Sequence, residues 1–183
     1  MSRVTRHEMI AIRALQLSET THRFCYRPVA RADAHPMFEA GLDSDFHRYL
    51  DWSKPADVDG AMVRLDGLLS EELLNTSVTS SIVDKPTGQW MGMLRWVPFR
   101  AGLAVELWLR PELWLHGGPG EILANALGLV HRITTLESLY ALVDTHDNRM
   151  ALLVRQHGMK PVAHFDSTDV FCLERAVQYA NGS

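Results

Sequence analysis

Apolar residues at helical spacing, Val58, Met62, Leu65, Leu69 and Leu73, follow Pro55 and Asp57 and predict a helix that starts there. The period then changes. Residues 76–83 are rich in β-branched side chains and predict a strand, closed by the turn Lys85-Pro86-Thr87-Gly88. Residues 89–97 and 103–109 predict two more strands around a turn at 98–102. The helix after Gly120 is apolar on most sides (Ile122, Leu123, Ala126, Leu127, Val130, Ile133), which predicts deep burial. Residues 138–145 read as a strand, and 148–157 as a helix with Gly158 as its C-cap. Residues 161–165 and 168–173 close the chain as two strands around Asp166-Ser167. Near the start, 24–29 reads as a strand. Asp33 is placed to cap a short helix through Ala40, with Pro36 limiting where it begins, and 47–52 reads as a helical turn of mixed aromatic character. This order predicts a mixed α/β layer structure with one main sheet.

Composition narrows the class. A chain of 183 residues with 46% hydrophobic residues suits one domain with a real core. A net charge of -4 argues against a broad basic face for nucleic acid. The two cysteines, Cys25 and Cys172, indicate neither a disulfide framework nor a cysteine-type zinc site, so a reducing cytoplasm is expected. No apolar run approaches the roughly 18 residues that cross a membrane. Arg13 interrupts the apolar run 9–17, which argues against a secretory signal, and Glu8 argues against a transit peptide. Residues 1–23 are therefore expected to be an extension that packs or frays, followed by a domain over 24–175 and a tail over 176–183. The nine histidines form no His-x-x-x-His pair, so no metal is expected. The five tryptophans read mostly as core, with Trp52 and Trp114 open to walling a substrate cleft.

The candidate chemistry lies in one succession. A strand (Val105-Glu106-Leu107-Trp108-Leu109) leads through Arg110-Pro111-Glu112-Leu113-Trp114-Leu115 into His116-Gly117-Gly118-Pro119-Gly120-Glu121 and a helix. Glycines let backbone N–H groups converge, and the helix N-terminus adds partial positive charge, which together seat a phosphate or pyrophosphate. The turn lacks the Lys-Ser/Thr ending of a P-loop, and no nucleophile elbow supports Ser-His-Asp chemistry.

Several segments, in order, resemble the GNAT (Gcn5-related) N-acetyltransferases and within them the RimJ/RimL-like branch. They are Tyr49-Leu50-Asp51-Trp52, Trp90-Met91-Gly92-Met93-Leu94, Trp108-Leu109-Arg110-Pro111-Glu112-Leu113-Trp114, Gly118-Pro119-Gly120, and 147–159. The resemblance covers roughly 24–175. It implies a single-domain α/β fold with a mixed, mostly antiparallel sheet, splayed central strands and flanking helices. It also implies acetyl-CoA as cosubstrate, a primary amine as acceptor, a protein N-terminus or a small amine, and often a homodimer. By the same resemblance, backbone groups of Leu107, Trp108 and Leu109 pair with the pantetheine arm. The amides of His116, Gly117, Gly118, Gly120 and Glu121 hold the pyrophosphate, and Asn148, opening the later helix, is a further cofactor-binding residue.

The sequence also departs from the family. Leu115 stands where a Gln or Arg is usual, Pro119 lacks an N–H, and His116-Gly117 reads as a small insertion. Asp147 stands at the usual Asn unless Asn148 replaces it with a one-residue shift. Met150 aligns with the family's Ser and Val154 with its Tyr acid, so no proton donor for the thiolate is visible. Glu106, the only acid on the strand before the loop, is the first candidate base, with Asp144 and His146 at the neighbouring strand's end as further candidates. The competing readings are a catalytically degenerate acyl-CoA-binding or regulatory protein, and a purely structural interaction module.

Overall fold

A computed structural model describes residues 4–15, 21–47 and 54–175. The helices are α1 (Arg6–Leu15), α2 (Ala34–Ala40), α3 (Ser44–His47), α4 (Val58–Leu73), α5 (Gly118–Ile133) and α6 (Asn148–Gln156). The strands are β1 (Phe24–Pro28), β2 (Val78–Asp84), β3 (Trp90–Phe99), β4 (Gly102–Leu109), β5 (Ser138–Asp144), β6 (Lys160–Phe165) and β7 (Thr168–Glu174). They form one seven-stranded sheet in the order β1-β2-β3-β4-β5-β7-β6. Only the β4–β5 neighbours are parallel; the others are antiparallel. Among the described residues no helix is long and apolar enough to cross a membrane.

Alternation along the strands divides the core into two faces. Leu103, Val105 and Leu109 of β4 pack with Met9 and Ile12 of α1, Ile122 and Val130 of α5, and Leu153 of α6. On the opposite face, Trp90, Met93 and Trp108 pack with Met37 of α2 and with Leu65 and Leu68 of α4. Further along that second face, Ala104, Tyr140, Val170 and Cys172 form a smaller cluster. Within the described part of 1–23, α1 buries Met9 and Ile12 against the sheet, and Arg13 pairs with Glu72 at the end of α4 (3.0 Å).

Asp33 behaves differently from the sequence expectation. It precedes α2 but makes no side-chain cap. Its carboxylate, 1% exposed, instead accepts from Arg27 (2.8 Å), the Ala30 N–H (2.9 Å) and Ser81 (2.7 Å). Burial pushes that carboxyl up, but the bonds from Arg27, Ala30 and Ser81 outweigh it and hold it below the usual range. A buried carboxylate is best served by a guanidinium, and β1 places Arg27 within reach. The segment Tyr49 to Trp52, which the resemblance used, lies outside the described residues, and so does Trp52 as a cleft wall.

Candidate functional site

The site begins where β4 and β5 part. Their shared register has three rungs, Leu103↔Leu139, Ala104↔Tyr140 and Val105↔Ala141. Beyond these, β4 continues for four residues paired only with β3. The Arg110 N–H donates to Met91 O (2.9 Å), and hydrogen-bonded positions alternate along an antiparallel pair. Trp108 and Glu106 therefore turn their backbone groups towards β3. Leu107 and Leu109 turn theirs towards β5, past the last shared rung. Such a row inside a sheet is a template for one more extended chain. Gly102 sets the close approach at the start of the shared rungs, since a Cβ there would stand 2.1 Å from Ser138 O.

β4 runs into a 3-10 segment, Pro111–His116, with proline in its first turn. Gly117 ends it in the left-handed conformation (φ 70°, ψ 9°), which glycine adopts without strain. α5 starts at once with Gly118, where a Cβ would come within 2.9 Å of Leu113 Cδ2. His116 and Gly117 are thus part of the strand-to-helix connection itself. The Gly117 N–H donates to Leu113 O, and the Glu121 N–H donates to Gly117 O (3.3 Å). The first-turn amides of α5 are then those of Gly118 and Gly120, because Pro119 has none. The Glu121 carboxylate accepts from the Arg23 N–H (2.9 Å) and ties β1 to α5. Burial pushes that carboxyl up, but hydrogen bonds with Thr21 and Arg23 and the nearby charge of Arg23 hold it below its usual range.

α6 lines the other wall. Asp147 caps it by accepting from the Met150 N–H (3.0 Å), and Asn148 is its exposed first residue. Val154 is fully buried in the core, so the position aligned with a tyrosine acid holds only packing. His157, just past α6, stands between Leu153 O (2.8 Å) and Gly120 O (3.1 Å). Arg149 lies over the Trp114 ring at 5.1 Å, linking α6 to the 3-10 segment.

Glu106 is one residue past the last rung, on the face covered by α4. Its carboxylate accepts from Arg95 (2.9 Å), its partner across the β3–β4 hairpin. Arg95 also donates to Glu71 of α4 (2.5 Å), which accepts from Ser77 (2.9 Å). Burial works against the Arg95 charge, but Glu106 and Glu71 together hold its proton more firmly than usual. Burial likewise pushes the Glu71 carboxyl up, and the hydrogen bonds from Arg95 and Ser77 pull it below the usual range. The charge of Arg64, also on α4, acts on Glu71 as well, so two guanidiniums face the two carboxylates beside the gap. Asp144, three residues past the last rung on β5, accepts from the His146 N–H (2.8 Å) and faces the His146 ring (3.1 Å). Among the described residues no hydrogen bond or ion pair joins Asp144 to Glu106. Sequence reasoning missed Arg95, Glu71, Arg23 and Arg149. Only Arg95 left a signal: a two-residue turn at Arg100-Ala101 sets it opposite Glu106.

A family model for the acetyltransferase (GNAT) domain matches residues 23–160. No curated protein sequence matches the chain. The fold is similar to that of several solved structures. A proposed ribosomal-protein-serine acetyltransferase from Vibrio cholerae aligns with TM-score 0.77 at 15% identity, covering 85% of this chain and 96% of that one. RimJ of Mycobacterium smegmatis in complex with CoA-disulfide aligns with TM-score 0.69 at 16% identity, covering 82% and 81%. Spermidine N-acetyltransferase from Vibrio cholerae in complex with CoA and spermine aligns with TM-score 0.67 at 14% identity, covering 82% and 93%.

Proposed function

Because the chain belongs to the GNAT family and is an acetyl-CoA-dependent N-acetyltransferase, we propose that it acetylates a primary amine by direct attack in a ternary complex. The observation that carries this reading is the parting of β4 from β5 after three rungs, directly before a glycine turn at a helix N-terminus. The residues present fit acetyl-CoA. Leu107 and Leu109 offer backbone donors and acceptors to the amide-bearing pantetheine arm. The amides of Gly118 and Gly120, with the N-terminal charge of α5, receive the pyrophosphate. When bound, acetyl-CoA supplies an activated acetyl group whose thiolate is a good leaving group.

The chain's own task is then orientation and proton handling. The Glu106 carboxylate, one residue past the last shared rung, receives the ammonium at the gap. Glu106 takes the ammonium proton through a water, freeing the nitrogen lone pair. As the N–C bond forms and the C–S bond breaks, CoA leaves as a thiolate that takes up the proton the acylated nitrogen sheds; Val154, at the position aligned with the family's tyrosine, has no proton to give. The acceptor is a protein N-terminal amine or a small cationic amine; both present the same ammonium to this group.

Calorimetric titration with acetyl-CoA, and with free CoA for comparison, tests the seat. One site per chain is expected, and no binding at millimolar ligand refutes the reading. Thiol release across a panel of peptides and small amines tests transfer. A second reading, CoA binding without turnover, draws on the engagement of Glu106 by Arg95. Binding with no thiol release across the panel would select it.

A further inference from the structure

Next to Glu106 the second face of the sheet turns apolar. Ala104, Tyr140, Val170 and Cys172, flanked by Val97 and Phe99, form a cluster built from strand residues alone. It adjoins Glu106 directly. Ala104 lies two residues back along β4 on the same face, between Val97 of β3 and Tyr140 of β5.

One cation overlies this strip. Arg100, at the tip of the β3–β4 hairpin, is exposed, and its guanidinium lies 5.4 Å from the Phe99 ring centroid, 6.0 Å from that of Tyr140 and 5.6 Å from that of Phe165 on β6. Phe99 and Tyr140 meet edge to face at 5.2 Å. Rings hold a guanidinium through their quadrupole without filling its donors as a carboxylate would. Arg95 is engaged by Glu71 and Glu106. Arg100, by contrast, forms no ion pair with a carboxylate among the described residues, Glu174 included, although the charges of both act on the Cys172 thiol. Arg100 also has a positive φ of 52°, at the first position of a two-residue turn, where glycine is favoured. An arginine there works against the turn's own preference.

The spacing defines a ligand. Tyr140 stands level with Ala104, about 7 Å along the strand from Glu106. The guanidinium over Tyr140 is then on the order of 10 Å from the Glu106 carboxylate, which an extended peptide spans in about three residues. A free amino acid is too short to reach both charges. A polyamine puts a second cation where Arg100 already stands.

Resting on the acetyl-transfer reading, we propose that Arg100 is a specificity-determining residue of the acceptor site, and that the acceptor is a peptide N-terminus with an aspartate or glutamate at its second or third position. The α-ammonium meets Glu106, the chain crosses Val97 and Tyr140, and the acidic side chain pairs with Arg100 in a bidentate contact.

The test measures thiol release by the full-length protein at saturating acetyl-CoA. The acceptors are peptides that differ only in Asp, Asn or Lys at position two or three, and spermidine. At the better of the two positions, wild type is expected to favour Asp over Asn about tenfold in kcat/KM, the scale of a charge-assisted hydrogen bond. The Lys peptide and spermidine should fall below both. Arg100→Gln should bring the Asp-to-Asn ratio to about one, chiefly through KM for the Asp peptide. Arg100→Lys should restore part of the ratio, and Arg100→Glu should turn the preference towards Lys. A wild-type ratio near one at both positions overturns the proposal, as does spermidine outrunning the Asp peptide; neither result depends on a variant folding. A ratio in Arg100→Gln equal to that of wild type overturns it too, since a merely structural arginine would lower both rates together. Wild-type protein that binds acetyl-CoA and releases no thiol with any acceptor overturns the acetyl-transfer reading, and the proposal with it.

Discussion

Replacing Arg95 by methionine removes the guanidinium that bridges Glu71 and Glu106. The side chain of Arg95 is 15% exposed, Glu106 22% and Glu71 35%, so the group is neither a surface pair nor a fully buried one. Exposed pairs contribute about 0.2–1 kcal/mol. Orphaning one partner of a buried pair costs about 3–5 kcal/mol. Partial exposure of both acids discounts the second figure, and we expect a loss of about 2 kcal/mol at neutral pH. In a domain of this size that lowers Tm by roughly 4–8 °C.

The pH dependence makes the test specific. The folded-state pKa of Glu71 is depressed: burial raises it, but hydrogen bonds from Arg95 and Ser77 lower it further. Its stabilisation is therefore present above the ordinary carboxylate range and lost as pH falls through the folded value. Without Arg95 the largest of the lowering causes is gone while those of Ser77 and Arg64 stay, so the deficit of Arg95→Met should be larger at neutral pH and shrink on acidification. Urea unfolding of both proteins at pH 7 and near pH 4 measures it. An equal deficit at both pH values, or one below about 0.5 kcal/mol at pH 7, would refute the reasoning.

Other outcomes follow from single positions. Asp33→Asn keeps the shape but removes the charge that faces Arg27, and should cost about 2–4 kcal/mol in urea unfolding at neutral pH; a loss under about 1 kcal/mol would mean that water already screens the pair. Gly117→Ala meets no atom within 4 Å, so its cost is conformational, about 1–2 kcal/mol, and Gly117→Asn should recover part of it; equal losses in the two variants would contradict the left-handed assignment. Gly102→Ala drives a Cβ to 2.1 Å from Ser138 O and should separate the parallel rungs, lowering stability more than Gly117→Ala does and weakening acetyl-CoA binding; wild-type Kd and Tm would show that the start of the shared rungs tolerates a wider spacing. Glu106→Gln should lower kcat at saturating amine by on the order of 10²-fold, and an unchanged kcat removes Glu106 from the proton's path.

What the sequence made legible, and what it hid, divides along the reach of each signal. β2, β3, β4 and α5 announce themselves because alternation, turn residues and helical spacing act within a few neighbours. The glycine connection was legible for the same reason, although its ends were not. Whether Gly117 caps one segment or opens the next depends on Leu113, whose carbonyl takes its N–H and whose side chain fills the space a Cβ on Gly118 would need. The engagement of Glu106 was half legible. Reading the β3–β4 turn as 98–102 hides the register, whereas a two-residue turn at Arg100-Ala101 puts Phe99 opposite Gly102 and hence Arg95 opposite Glu106. Glu71 could not be found that way, because it comes from α4, and the angle at which a helix crosses a sheet leaves no period in the sequence. Arg23 and Arg149 are hidden for a related reason. Each meets the connection only after the sheet order β1-β2-β3-β4-β5 sets the lead into β1 and the helix after β5 on its two sides. Charge at this site is therefore a property of topology. A loop read by itself shows neither of the two guanidiniums that the assembled fold brings to it.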